Sequence, residues 1–195
     1  MTRIGILGGM GPLATQYFIN LLFAEIIAQR QPRTDQDWPD LTILIESSIS
    51  DRTLCLASRD NSAALRINAC LDRLLAEGCA SVAVPCFTAH AMIRPELFNR
   101  GVLDIRECAV ANLRPKEDLS LGVMATDGSV TSGIFSTPAD RFTIIYPDTA
   151  HQTALANLLS DPHGIKSSAS DISYCQSEFR RVMENLRAQG ADRLV

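Results

Sequence analysis

Short apolar runs alternate along this chain with longer segments in which apolar residues recur every three or four positions. Arg3 to Leu7 is the first run, closed by Gly8-Gly9-Met10-Gly11-Pro12. From Pro12 onward Phe18, Leu21, Leu22, Ile26 and Ile27 follow helical spacing, and a proline suits a first helical position. A polar connection from Gln31 to Asp40, anchored by Trp38, leads to a buried-type strand over Leu41 to Ile45. After a loop over Glu46 to Thr53, a helix runs from about Asn61 to Glu77 and ends at Gly78. Ser81 to Val84 reads as the next strand, Thr88 to Leu97 as the following helix, and Leu103 to Ile105 as a short closing strand.

Arg114-Pro115-Lys116-Glu117-Asp118 is polar, holds a proline and reads as an internal linker. Beyond it the alternation restarts. Leu119 to Met124 and Phe142 to Tyr146 read as strands separated by a turn over Thr126 to Gly133, and helices are predicted over Thr149 to Leu159 and Ile172 to Gln189. The second half echoes the first. Leu74-Leu75-Ala76-Glu77-Gly78-Cys79-Ala80 is matched by Leu186-Arg187-Ala188-Gln189-Gly190-Ala191-Asp192, an offset of 112. Gly5 and Gly11 match Gly122 and Gly128 at an offset of 117. Strands alternating with helices argue for parallel sheets in three layers. The expected fold is therefore α/β, with two pseudo-symmetric three-layer lobes at residues 1–115 and 116–195. In the register of the repeat, the counterpart of Cys86 falls just past Val195. The second lobe is accordingly expected to be incomplete, a partial version of a longer chain.

Composition narrows the partners. Of 195 residues 46% are hydrophobic and 21% charged, as in ordinary globular proteins, and the net charge is −4. That balance argues against nucleic acid and acidic membrane surfaces as partners. No apolar run approaches the roughly 18 residues that span a bilayer. Met1-Thr2-Arg3-Ile4-Gly5 enters a strand without a signal-peptide pattern, so a cytoplasmic location with free thiols is expected. The six cysteines form no C-x-x-C pair, and His151 and His163 have no ligand partners at metal spacing; no metal site is expected.

The candidate chemistry centres on Cys86. It follows a strand and precedes a predicted helix, at the edge where open parallel sheets bind ligands. Free N–H groups and a helix dipole there would hold a carboxylate or lower the thiol pKa from its usual value of about 8.5. Thr88 adds a hydroxyl, and His90 a polar ring one turn further on. Arg52 in Asp51-Arg52-Thr53 follows the second strand and suits bidentate capture of a carboxylate. Lys166 lies in a connection between two helices, and the turn beginning at Thr126 is a second hydroxyl-rich cradle. Gly9-Met10-Gly11-Pro12-Leu13-Ala14 fits the dinucleotide pattern after a strand, but the acidic residue that ends the second strand should follow by about 20 positions and here, as Glu46, stands about 32 beyond Ala14. Pro12 also occupies the helix start. No cofactor is expected, and the glycines serve close approach of a small ligand.

Together these residues resemble the aspartate/glutamate racemase family, which works without pyridoxal phosphate. Gly5-Ile6-Leu7-Gly8-Gly9-Met10-Gly11-Pro12, Asp51-Arg52-Thr53, Pro85-Cys86 with Thr88-Ala89-His90, Ala125-Thr126 with Gly128 and Ser132-Gly133, and Ile165-Lys166 match in order and spacing. The resemblance implies a homodimer of two-lobed chains that binds a small dicarboxylic amino acid between lobes. It places a catalytic cysteine at Cys86, carboxylate partners at Arg52 and Lys166, and substrate-lining positions at Met10, Thr88 and Thr126. The chain departs from the family at Phe87, where the family has asparagine, so Phe87 becomes a substrate-side residue of different character. It also lacks, within its 195 residues, the family's second catalytic cysteine. Inversion without a cofactor needs a base on one face of the α-carbon and an acid on the other. The expected activity is racemisation of aspartate, or of glutamate, by thiol abstraction and return of the α-proton. The alternatives are a racemase-incompetent form, a one-cysteine isomerase or decarboxylase of dicarboxylates, and a non-catalytic binder of acidic metabolites. Cys175, within a helix and away from any strand end, is not expected to replace the second cysteine.

Overall fold

Apolar runs that stop at glycine-rich or polar turns become parallel strands, and the periodic segments between them become crossover helices. The computed structural model describes residues 2–111, 119–135 and 142–195. In order these are β1 (Arg3–Gly8), α1 (Pro12–Arg30), β2 (Leu41–Ile45), α2 (Arg52–Ser58), α3 (Ser62–Ala76), β3 (Cys79–Ala83), α4 (Pro95–Phe98) and α5 (Ile105–Val110). They continue with β4 (Ser120–Gly122), α6 (Asp127–Thr131), β5 (Thr143–Ile145), α7 (Thr149–Ser160), α8 (Ile172–Ala188) and β6 (Arg193–Leu194). The chain divides into two compact units, Met1–Ile105 and Arg106–Val195. The expected linker at Arg114–Asp118 lies outside the described residues.

The first unit holds a parallel sheet in the order β2-β1-β3. Central β1 is covered on both faces, which explains its unbroken apolar run: Gly5 through Gly8 are all buried. On α3, Ala63, Ile67, Cys70, Leu71 and Leu74 form a helical stripe buried in the core with Leu7, Val82 and Val84. Right-handed crossovers in opposite directions along the sheet put α1 on the other face. There α1 buries Thr15 and Ile26, while Leu13, Tyr17, Leu21 and Ile27 stay exposed. Trp38 packs on Phe23 of α1, ring centroids 5.4 Å apart, and so anchors its connection as its sequence setting suggested.

The second unit repeats the plan with a parallel sheet in the order β5-β4-β6. Leu155 of α7 and Val182 and Leu186 of α8 form its core, with Ile145 and Leu194 against them. The repeat holds at the level of register. Gly5 lies opposite Thr42 and Val82, and Gly122 lies opposite Ile145 and Leu194. After the matching helices, Gly78 and Gly190 both adopt left-handed conformations, φ +85° and +96°, which glycine adopts without the steric cost other residues meet. The fold is thus α/β, built on two parallel three-stranded sheets among the described residues.

Three local expectations are corrected. The helix expected over Thr88–Leu97 is a five-residue 3-10 turn, Thr88–Met92, followed by the short α4. Pro95 is the reason: the residue before a proline avoids the helical region, and Arg94 is extended at ψ 128°. The strand expected over Leu103–Ile105 reduces to an isolated bridge of Val102 with Val82, because Ile105 already enters α5. The loop over Glu46–Thr53 ends early, at the start of α2, where the Asp51 carboxylate accepts from Leu54 N at 3.0 Å and caps the helix. No helix among the described residues is long and apolar enough to cross a membrane.

Candidate active site

The carboxyl ends of β1, β2 and β3 carry three of the sequence candidates. After β1, Gly9 sits at φ +95°, and a Cβ there would stand 2.7 Å from the backbone of Glu46, so the turn tolerates no side chain. Buried Thr15 pins this turn: its Oγ1 accepts from Gly9 N and donates to Gly11 O, both at 3.0 Å. The next residue, Met10, is 5% exposed and points into the core, so it meets this edge through its backbone.

Arg52 is the first residue of α2. Its Nη1 donates to the carbonyls of Ile49 (3.3 Å) and Ser50 (3.1 Å), and its Nη2 to that of Met10 (3.4 Å). These bonds tie the β2 turn to the β1 turn. Among the described residues no carboxylate pairs with Arg52; adjacent Asp51 is committed to the helix cap. Its Nε is buried without an acceptor. A guanidinium has five N–H donors, so three carbonyl bonds leave its charge uncompensated and part of its donor capacity unused. Asp60 and Ser50 reinforce the seat, bridged by Ser62 Oγ at 2.8 and 3.2 Å respectively.

Cys86 follows β3. Its N–H donates to Val84 O at 2.7 Å, closing a tight turn that lifts the residue off the strand end. Cys55, Cys70, Cys79 and Cys175 are buried, whereas Cys86 is half-buried. Burial pushes the Cys70 thiol up, with the Glu46 carboxylate adding to the effect, which leaves it an inert core sulfur. Phe87 is also half-buried, while Thr88 and His90 are buried. His90 Nδ1 lies 2.9 Å from the Cys86 carbonyl oxygen, and Nε2 lies 3.3 Å from that of Leu103. The long helix dipole expected behind Cys86 is replaced by a single 3-10 turn, so dipole stabilisation of an anion there is weaker than the sequence suggested.

Thr126 and Lys166 belong to the second unit. Thr126 follows β4 and caps α6, its Oγ1 accepting from Ser129 N at 3.2 Å. Gln152 of α7 fixes the same turn from below, its Nε2 donating to Ala125 O (3.1 Å) and Asp127 Oδ1 (2.6 Å). Lys166 is exposed in the turn between α7 and α8 and makes no ion pair among the described residues. Cys175 is 8% exposed within α8, its thiol donating to His163 O at 3.7 Å, a core role. Asp148 caps α7, and the His151 backbone N–H, followed by the His151 ring at 2.8 Å, holds its carboxyl below the usual value of 3.8. Among the described residues no three His, Cys, Asp or Glu side chains are placed to hold a metal ion.

The first unit therefore brings Met10, Arg52, Cys86, Phe87 and Thr88 to one sheet edge, and the second places Thr126 at the matching edge of its own sheet. Sequence reasoning missed Gln152, whose partners come from tertiary structure and leave no spacing signal. It noted His90 only as a nearby polar ring.

The family model described as Asp/Glu/Hydantoin racemase matches residues 7–195. Among solved structures, the Picrophilus torridus aspartate racemase is similar over 100% of this chain and 79% of that chain, with 20% identity and a TM-score of 0.75. An aspartate racemase homologue from Pyrococcus horikoshii is similar over 100% of this chain and 84% of that one, with 13% identity and a TM-score of 0.71. Glutamate racemase from Aquifex pyrophilus is similar over 100% and 79%, with 17% identity and a TM-score of 0.56. At these identities the structural likeness establishes the fold, and the family match extends over nearly the whole sequence. The chain belongs to the Asp/Glu/Hydantoin racemase family, a family of isomerases.

Proposed function

We propose that this protein is an amino-acid racemase acting on aspartate, or on glutamate, with Cys86 as the base and acid on one face of the substrate. The observation that carries the reading is Arg52. A guanidinium held by three backbone carbonyls, with no carboxylate partner among the described residues, stands on the same sheet edge as a half-buried thiol. A substrate carboxylate supplies the missing charge, and the fork geometry suits it. In the forward step the Cys86 thiolate takes the α-proton, becoming a thiol and leaving the electron pair on the α-carbon. Return of a proton to the opposite face, from a second acid, completes inversion; return from Cys86 restores the starting enantiomer. Thr88 is assigned to the substrate's remaining polar groups and Phe87 to the wall beside them, while Met10 acts through its carbonyl, which accepts from Arg52. The family resemblance adds Thr126 and Lys166 to the substrate-binding set.

The test follows L-aspartate in deuterated buffer by proton NMR and chiral chromatography. Loss of the α-proton signal is the expected outcome, and D-aspartate appearing with it shows that a second acid serves the opposite face. Cys86→Ser should abolish exchange while the protein still binds aspartate. Removing the charged hydrogen bonds in Arg52→Ala should raise the dissociation constant by about tenfold or more. Exchange at the parent rate in Cys86→Ser, or an unaltered dissociation constant in Arg52→Ala, would remove that residue from its role.

A further inference from the structure

Cys86 is held by its backbone at two points. Its N–H is bound to Val84 O at 2.7 Å, and its carbonyl oxygen meets His90 Nδ1 at 2.9 Å. Both ring nitrogens face carbonyl oxygens, which can only accept, and the shorter of the two contacts assigns the N–H to Nδ1. The same ring reaches Leu103 O through Nε2 at 3.3 Å. Leu103 N in turn donates to Val82 O of β3, next to the bridge between Val82 and Val102. The imidazole thus joins the turn that carries the thiol to the chain segment lying along β3. Its own position is fixed. It is 3% exposed, stacked on Phe98 with centroids 6.2 Å apart at 15°, and tilted against Phe87 at 6.5 Å.

We propose that His90 is a positioning residue for the racemase reaction: by donating from Nδ1 to the Cys86 carbonyl it sets where the sulfur stands over the α-carbon. This rests on the reading of Cys86 as the base. A misplacement of about 1 Å can reduce a rate a hundredfold, so one backbone anchor beside the reacting atom matters out of proportion to its strength. Two substitutions separate the two contacts. In His90→Asn the amide nitrogen stands where Nδ1 stood and can still reach the Cys86 carbonyl. In His90→Gln it stands one bond further out, towards the site of Nε2.

The expected result is a kcat about tenfold lower in H90Q than in H90N, with KM the same within error and similar unfolding temperatures. A purely packing role would lower both variants together, in step with stability. Equal kcat values in the two, an H90Q enzyme with parental kcat, or an H90N protein that does not fold would each overturn the proposal. If the parent shows no α-proton exchange, the racemase reading fails on its own. The anchor is then judged by alkylation of Cys86 with iodoacetamide, followed by peptide mass spectrometry. Labelling several-fold faster in H90Q than in H90N supports it, and equal rates overturn it.

Discussion

Asp148 uses its carboxylate to accept from the backbone N–H of His151 and from the Asn185 amide, so the folded state favours its ionised form. A carboxyl with a lowered folded pKa contributes stability above its ordinary value of 3.8 and loses it as pH falls through the lower folded value. Asp148→Ala should therefore melt below the parent at pH 7, and the two melting curves should draw together in acid; a pH-independent gap would show that the charge is not what matters. Such caps are visible in sequence, since an aspartate directly before a helical pattern accepts from a fixed place three residues on. Cys86 was legible for a similar reason: the end of a strand is defined locally, and so is the residue that follows it. The bond from His90 to the Cys86 carbonyl was not, because it depends on how the chain turns back after Phe87. At Met10 the sequence showed the turn but not the direction of the side chain. A methionine in a glycine-rich turn looks ligand-facing, yet its side chain fills the core and its carbonyl meets Arg52.

Helices long enough to show a full apolar stripe, α3 and α8, were read nearly to their ends, whereas short elements were not. The segment after Cys86 has helical composition, but Pro95 interrupts it, and a composition window averages over that break. α2 escaped notice because its seven residues offer too little periodicity. Strands packed closely against helices leave their mark in glycine. At Gly122 an added Cβ would stand 2.8 Å from Ala191 Cβ and Leu194 Cδ2, and 3.1 Å from Leu186 Cβ. At the matching Gly5 the nearest atoms, Cys79 Sγ and Val82 Cγ2, are 3.1 Å away. Gly122→Ala should cost about 1–3 kcal/mol in urea unfolding, and Gly5→Ala less, because Ala191 Cβ cannot rotate aside. Equal costs at the two sites would show that the second sheet yields more readily than its packing implies.

The internal repeat was the most legible property of the whole chain, since a two-fold recurrence of strand, helix and glycine needs no tertiary information to detect. What it could not reveal is how short the second unit's strands are; β4 and β5 span three residues each. The repeat makes a paired test available. Leu74 and Leu186 hold matching positions and are 1% and 0% exposed, so alanine at either should cost about 2–5 kcal/mol. For Leu186→Ala, hydrogen exchange at the Val123 and Val195 amides, which bond across the second sheet, should accelerate; parental protection there would rule out that core as the source of the loss. In both sheets the strand made first sits in the middle. Residue 4 pairs with residues 41 and 81, and residue 121 with residues 144 and 193. As the chain leaves the ribosome, β1 and β4 must each wait through two crossovers before both flanks are occupied. Each central strand gains its second neighbour only when the third strand of the described sheet arrives, a topology in which distant pairings slow folding and leave a half-built sheet open during synthesis.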